Sequence, residues 1–148
     1  MRTLFIDADA CPVTRDAISV ARSKGVPVVL VANATQNLER YLTRSGVEAV
    51  EVSAGRDAAD FAIVERLAPQ DVVVTGDIGL AAMVLGRGAA ALSPRGRVYS
   101  RETIDIEMEV RHAEQQFRRA GGRTKGPAPF EDDERERFSE QLKRLLGG

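Results

Sequence analysis

A single cysteine, Cys11, leaves this 148-residue chain no internal disulfide to form, so a disulfide-framed secreted scaffold is excluded. Tryptophan is absent and aromatics make up 5% of residues, too few for a platform on which successive bases would stack. The one histidine, His112, gives Cys-His or Ser-His-Asp chemistry little support and reads as a helix-packing residue. No apolar run approaches the roughly 18 residues of a membrane span. The opening segment MRTLFIDADACP carries two aspartates where a signal peptide would need an apolar stretch. Neither sign of charge dominates: 21 Lys and Arg against 22 Asp and Glu exclude a histone-like polycation or an acidic disordered tail. A chain of this length buries roughly 70% of its extended surface without a disulfide or structural metal. The expectation is one domain over residues 1–148, in the reducing cytoplasm, with no membrane partner and an oligomeric state that the sequence leaves open.

What is present is a repeated alternation of short apolar runs and helical patterns over residues 1–92, the mark of a parallel sheet covered on both faces. Strands are expected at 3–6, 26–32, 49–52, 71–75 and 89–92. A first helix enters at Pro12 with Val13, Ala17, Val20 and Ala21 on its buried stripe and Gly25 just beyond its end. A second is capped by Asn33 or Thr35 and runs to about residue 45. A third opens at Asp57, with Phe61, Val64, Leu67 and Ala68 as its apolar positions, and stops at Pro69. A fourth covers 78–85. The fold class is α/β: a three-layer α/β/α sandwich on a mostly parallel sheet of order 3-2-1-4-5, with C-terminal helices added.

Beyond Leu92 the character changes. Residues 95–99 form a short strand or a loop, and a long polar helix follows at 100–119 with Ile104, Met108, His112 and Gln115 on one stripe. A glycine- and proline-rich stretch covers 120–129. The last helix, 131–146, carries Phe138, Leu142 and Leu145 at helical spacing. Residues 93–125 hold 8 positive and 5 negative charges, and 18 of the 21 cations in the chain are arginine, the side chain that grips phosphates in a planar fork. Arg118, Arg119, Arg123 and Lys125, set around Gly121, Gly122 and Gly126, read as a phosphate-binding surface that Arg95, Arg97 and Arg101 would extend. The alternative is a solvated linker between two helices.

The carboxylates are the most informative residues. In an open parallel sheet, ligands collect at the carboxyl ends of the strands where the strand order reverses. Asp7 and Asp9 end the first strand and Asp77 ends the fourth. With the order 3-2-1-4-5 these strands are neighbours, and the reversal falls between them. Asp60 lies on the inward stripe of the third helix, near its start, with Asp57 one turn earlier. So many carboxylates repel one another unless cations compensate them, and hard oxygen donors suit Mg²⁺ or Mn²⁺. The plainer alternatives are helix caps: Asp57 for the third helix, Asp77 for the fourth and Asp9 for the first. Asp7, at a strand end, has no capping task.

Four ordered blocks, DADACPV at 7–13, GRDAADFAIV at 55–64, VVTGDIGLA at 73–81 and GGRTKGPAPF at 121–130, resemble the bacterial YaiI/YqxD family, which is assigned to the PIN-like nuclease superfamily. The resemblance covers nearly the whole chain. It implies a PIN-like sandwich whose acids hold Mg²⁺ or Mn²⁺ for phosphodiester hydrolysis, on RNA in this reading. Asp7, with Asp9 beside it, matches the first-strand acid, Asp60 or Asp57 the helical acid, and Asp77 the later strand-end acid. PIN nucleases carry a further acid shortly after the last of these. Here Ile78, Gly79, Leu80, Ala81 and Ala82 follow, so that ligand is locally absent. Two other classes stand beside this one: a non-catalytic nucleic-acid-binding module, and a phosphatase of the haloacid-dehalogenase kind. In the phosphatase Asp7 would attack phosphorus and Asp9 would serve as acid and base, but that chemistry needs a well-placed lysine.

Overall fold

The computed structural model describes residues 2–9, 11–33, 38–42, 45–53, 57–123 and 129–147. Five strands, β1 (Leu4–Asp7), β2 (Val28–Ala32), β3 (Val47–Glu51), β4 (Val72–Val74) and β5 (Ala90–Leu92), form one sheet of order β3-β2-β1-β4-β5. All four pairings are parallel, with Ile6 opposite Leu30 on one side and Val74 on the other. The inner strands are almost entirely apolar because both of their faces are covered. β3, at one edge, instead exposes Glu48 and Glu51, charges that discourage edge-to-edge pairing.

Among the described residues there are six helices: α1 (Thr14–Ser23), α2 (Glu39–Leu42), α3 (Ala58–Val64), α4 (Ile78–Gly86), α5 (Arg101–Arg119) and α6 (Asp132–Gly147). Alternate strand residues divide two cores. Leu4, Ile6, Leu30, Val74 and Leu92 pack with Ala17 and Ile18 of α1, Tyr41 of α2 and Phe138, Leu142 and Leu146 of α6. Phe5, Val31, Val73 and Ala91 pack with Ile63 of α3, Leu80 and Val84 of α4 and Ile104 of α5. The result is a helical layer on each side of the sheet.

Local chemistry explains the boundaries. Gly25 follows the C-cap of α1 with φ of 67°, a left-handed conformation that closes the helix. Asp71, buried before β4, accepts from the amides of Thr3 at 2.9 Å and Ala68 at 2.8 Å, which ties the end of the α3 segment to the start of β1. Gly96 has φ of 89°, and a Cβ there would stand 2.6 Å from the amide nitrogen of Phe138. The 93–98 segment can therefore press directly on the backbone of α6. Arg95 bridges Glu134 at 3.0 Å, and Arg135 pairs with Asp16, so α6 is clamped at two points to the rest of the fold.

Several expectations shift. The 95–99 segment contributes one antiparallel bridge, Leu92 to Val98, and no full strand. In α6 Phe138 and Leu142 are buried as expected, and the third buried position is Leu146, four residues after Leu142, with Leu145 only partly covered. Phe61 is not a core residue of α3: it is 66% exposed, and Asp60, Ala62 and Ile63 are buried instead. Thr35, residues 55 and 56 of the second block, and Lys125 with the rest of 124–128 lie outside the described residues.

Candidate active site

β1 and β4 lie side by side, and the helices that follow them leave on opposite faces: α1 to one layer and α4 to the other. A crevice opens between their first turns, as such a reversal requires. Register puts Asp7 one residue beyond the Ile6–Val74 pair, next to Thr75. The buried Thr75 hydroxyl donates to Asp7 Oδ2 at 3.0 Å and accepts from the amide of Asp77 at 2.9 Å. The Tyr99 hydroxyl in turn donates to the Thr75 carbonyl at 3.1 Å. Thr75 is thus more than an ordinary strand residue: it joins two of the expected acids.

Asp77 is the N-cap of α4. Its Oδ1 accepts from the amides of Gly79 at 2.8 Å and Leu80 at 3.4 Å, and from Arg111 Nη1 at 3.1 Å. Gly79 permits this approach, since a Cβ there would lie 3.2 Å from that oxygen. The capping alternative is therefore realised for Asp77. For Asp9 it is not: the N-cap of α1 is Val13, and the exposed Asp9 carboxylate accepts from the Asn33 amide at 3.1 Å. Asp57 occupies the N-cap position of α3 without a side-chain capping bond.

Asp60 is 9% exposed and faces the crevice from α3. Burial pushes its carboxyl up to about 6, reinforced by the charges of Asp77, Asp7 and Asp57 and opposed by Arg111. Burial also raises Asp7, with further contributions from Asp77 and Asp9, while the Thr75 bond works the other way. No arginine or lysine pairs with Asp7 or Asp60 among the described residues. Cys11, near Asp7, is held as a thiol because burial raises its pKa.

A cleft of about 610 Å³ lies over these acids. Asp57, Asp60 and Asp77 form one side of it, with Phe61 and Met83 beside them. α5 supplies the opposite wall through Met108, Arg111, His112, Gln115 and Arg119. A smaller cavity of about 360 Å³ reaches Asp7, Asp9 and Cys11, and Asp77 and Arg111 line both spaces. The Arg111–Asp77 pair is accordingly the partition between them.

The expected stripe of α5 exists, but beyond Ile104 it looks over the cleft instead of into a core. Arg111 has no role assigned from the sequence, Phe61 is expected on the apolar face of the third helix, and His112 reads as packing. Their signal was the spacing of Met108, Arg111, His112, Gln115 and Arg119 along one helical face. Of the expected basic residues, Arg119 reaches the cleft, while Arg118 pairs with Glu114 along α5 and Arg123 is exposed after it. Arg95 is engaged by Glu134, Arg97 pairs with Glu107, and Arg101 donates to the Leu85 carbonyl. Lys24 sits at the far end of α1, against Gly147, so it is not the lysine beside Asp7 that a phosphatase would need.

A doubly wound α/β protein with carboxylates gathered at its switch point is the class that this geometry defines. The chain belongs to the family described as Uncharacterized BCR, YaiI/YqxD family, whose model matches residues 5–148. It is 43% identical over 143 residues to a UPF0178 protein of Exiguobacterium sibiricum, covering 97% of this chain and 95% of that one. To the UPF0178 protein Bcep1808_1605 of Burkholderia vietnamiensis it is 46% identical over 145 residues, covering 97% and 95%. Among solved structures it is similar to ChuY, an anaerobillin reductase from Escherichia coli O157:H7, at a TM-score of 0.46 and 13% identity, over 96% of this chain and 66% of that one. So distant a likeness says nothing of activity. No helix among the described residues is long and apolar enough to cross a membrane.

Proposed function

We propose that the cleft hydrolyses phosphodiester bonds, with RNA as substrate and Mg²⁺ or Mn²⁺ as the cation. One observation carries this reading. Asp7, Asp60 and Asp77 come from three separate elements, yet the charge of Asp77 raises the proton affinity of both Asp7 and Asp60, while Arg111 and Arg119 line the same cleft from α5. Acids on one side and cations on the other suit a phosphodiester held by its flanks and cut between them. The sheet order and the strand-end acids support the PIN-like assignment that the family resemblance implies.

The donor chemistry fits a hard divalent ion, since every candidate ligand is a carboxylate oxygen. Among the described residues no three His, Cys, Asp or Glu side chains form a ready-made metal cage. An ion held here would therefore have to take one or two carboxylates and keep water in its remaining positions, as Mg²⁺ does. Asp7 and Asp60, neither of which forms an ion pair with an arginine or lysine among the described residues, would be its direct ligands, and Asp77, Asp9 and Asp57 would act through bound water. When bound, such an ion supplies Lewis-acid chemistry, making a water acidic and offsetting charge on the leaving oxygen. Arg111 and Arg119 would grip phosphate oxygens, and Arg118, Arg123 and Lys125 would continue the basic track along the strand. An RNA substrate and a single cysteine would suit a cytoplasmic location.

Titration calorimetry with Mn²⁺ on the wild type and on Asp7→Asn tests the site before any substrate is known. The wild type is expected to bind and the variant to lose most of that binding. Cleavage of end-labelled RNA that survives Asp7→Asn unchanged would overturn the proposal. The Arg111–Asp77 pair favours a second reading, a non-catalytic RNA-binding module, because that pair already neutralises one acid. RNA binding that weakens steeply with salt, with no cleavage under any divalent ion, would select it.

A further inference from the structure

Asp60 is 9% exposed, accepts no hydrogen bond from a described residue and lines the cleft of about 610 Å³. A carboxyl buried that far without a donor calls for a partner from outside the chain. Asp7 lines the separate cavity of about 360 Å³, and Asp77 and Arg111 border both spaces. The Arg111–Asp77 pair therefore stands between the two acids that would hold an ion directly. As long as the guanidinium rests there, it divides them and repels an incoming cation. The side chains of the pair are 45% and 37% exposed, and an ion pair so open to water is easily broken.

The chemistry of the cleft says what would break it. Gln115 and Arg119 follow Arg111 at intervals of four residues and line the same wall. Arg119 forms no ion pair among the described residues. Asp77 offers Arg111 only Oδ1, which already serves the amides of Gly79 and Leu80. A phosphodiester beside Gln115 and Arg119 offers two non-bridging oxygens to the planar fork and is the better acceptor.

We infer that Arg111 is a gate worked by the substrate: a phosphodiester in the cleft draws its guanidinium off Asp77 and so joins Asp7 and Asp60 into one cation site. This inference rests on the reading of the cleft given above and adds the order of events to it. Before substrate arrives the ion is held weakly, and afterwards more tightly. Because Arg111 serves one acceptor or the other, phosphodiester and cation favour each other's binding by the same factor.

The probe is an octauridylate made nuclease-resistant by 2′-O-methyl groups and phosphorothioate links. In EDTA, read by fluorescence anisotropy, it should bind Asp77→Asn about fivefold more tightly than the wild type, since Arg111 is then released. Asparagine caps a helix as well as aspartate does, so α4 is kept, which circular dichroism checks. In an Arg111→Gln background the same substitution should change affinity by less than about twofold. Calorimetry should show Mn²⁺ binding the wild type about fivefold more tightly with the probe saturating than without it. In Arg111→Gln, whose gate is already open, that factor should fall close to one. An equal gain from Asp77→Asn in both backgrounds would trace the effect to a lost negative charge and overturn the gate. A coupling as large in Arg111→Gln as in the wild type would be direct attraction between ion and probe, and would overturn it too. Mn²⁺ that binds the wild type with no coupling overturns the gate alone and leaves the cation site standing. Mn²⁺ that binds no form overturns the site itself, and the gate with it.

Discussion

The Thr75 hydroxyl stands between Asp7 and Asp77, donating to the carboxylate of the first at 3.0 Å and accepting from the amide of the second at 2.9 Å. Adjacent parallel strands make this link possible, since β1 and β4 end at the same level and each delivers its acid to the same crevice.

Replacing Thr75 by Val keeps the shape and removes both bonds. The part-buried Asp77 amide then lacks an acceptor and Asp7 lacks its donor, a loss of about 1–3 kcal/mol. Urea unfolding should show that loss, and Thr75→Ser should recover most of it. Because the Thr75 bond is what restrains the raised Asp7 pKa, the carboxyl resonance of Asp7 should titrate higher still in Thr75→Val. A variant as stable as the wild type, with an unmoved Asp7 titration, would show that the hydroxyl does not position the acid.

Asp60 gives stability a pH dependence of definite sign. Its carboxyl titrates at about 6 in the fold against an ordinary 3.8, so the native state holds this proton more tightly than the unfolded chain. The contribution is fully present below the ordinary value and is lost as pH rises through about 6. Asp60→Asn should therefore melt higher than the wild type at about pH 7.5, and the difference should fade by about pH 4. Melting curves at the two pH values check this, and a variant less stable at the higher pH would contradict it.

Much of this architecture is legible in the sequence because its signals are local. Unbroken runs such as Val72-Val73-Val74 mark strands buried on both faces, and the reversal of strand order places Asp7 beside Asp77 before any coordinate is seen. The α5 wall was hidden for a different reason. Helical periodicity tells which residues share a face, but not whether that face meets a core, a cleft or water. Met108 and His112 share the stripe of Ile104 and look over the cleft, while Phe61, apolar and next to Asp60, lies at the cleft mouth. Arg111 looked like one more charge on a solvated helix, since its partner Asp77 is 34 residues away.

Arg111 competes with any cation for the acidic side of the cleft. It pairs with Asp77 and lowers the proton affinity of Asp60, so Arg111→Gln should tighten Mn²⁺ binding, on the order of fivefold. The same change should weaken RNA binding and reduce its salt dependence by about one released counterion. Calorimetry with the metal alone separates the two effects. Mn²⁺ affinity that is unchanged or lower in Arg111→Gln would mean that Asp77 and Asp60 are not part of a cation site.

The attachment of α6 rests on a glycine whose two constraints can be told apart. Gly25 and Gly96 both have positive φ, 67° and 89°, but a Cβ on Gly25 would meet nothing within 4 Å. On Gly96 it would press on the backbone of α6, 2.6 Å from the Phe138 nitrogen and 2.8 Å from the Arg137 carbonyl carbon. Gly25→Ala therefore pays only for the left-handed conformation, about 1 kcal/mol. Gly96→Ala adds a collision with backbone that has no rotamer to change, for a total on the order of 3 kcal/mol. That cost also loosens the Arg95–Glu134 bridge beside it, so α6 amides should exchange faster in Gly96→Ala and remain as protected as the wild type in Gly25→Ala. Equal losses in the two variants would mean that α6 is held by Phe138, Leu142 and Leu146 alone, without the 93–98 segment.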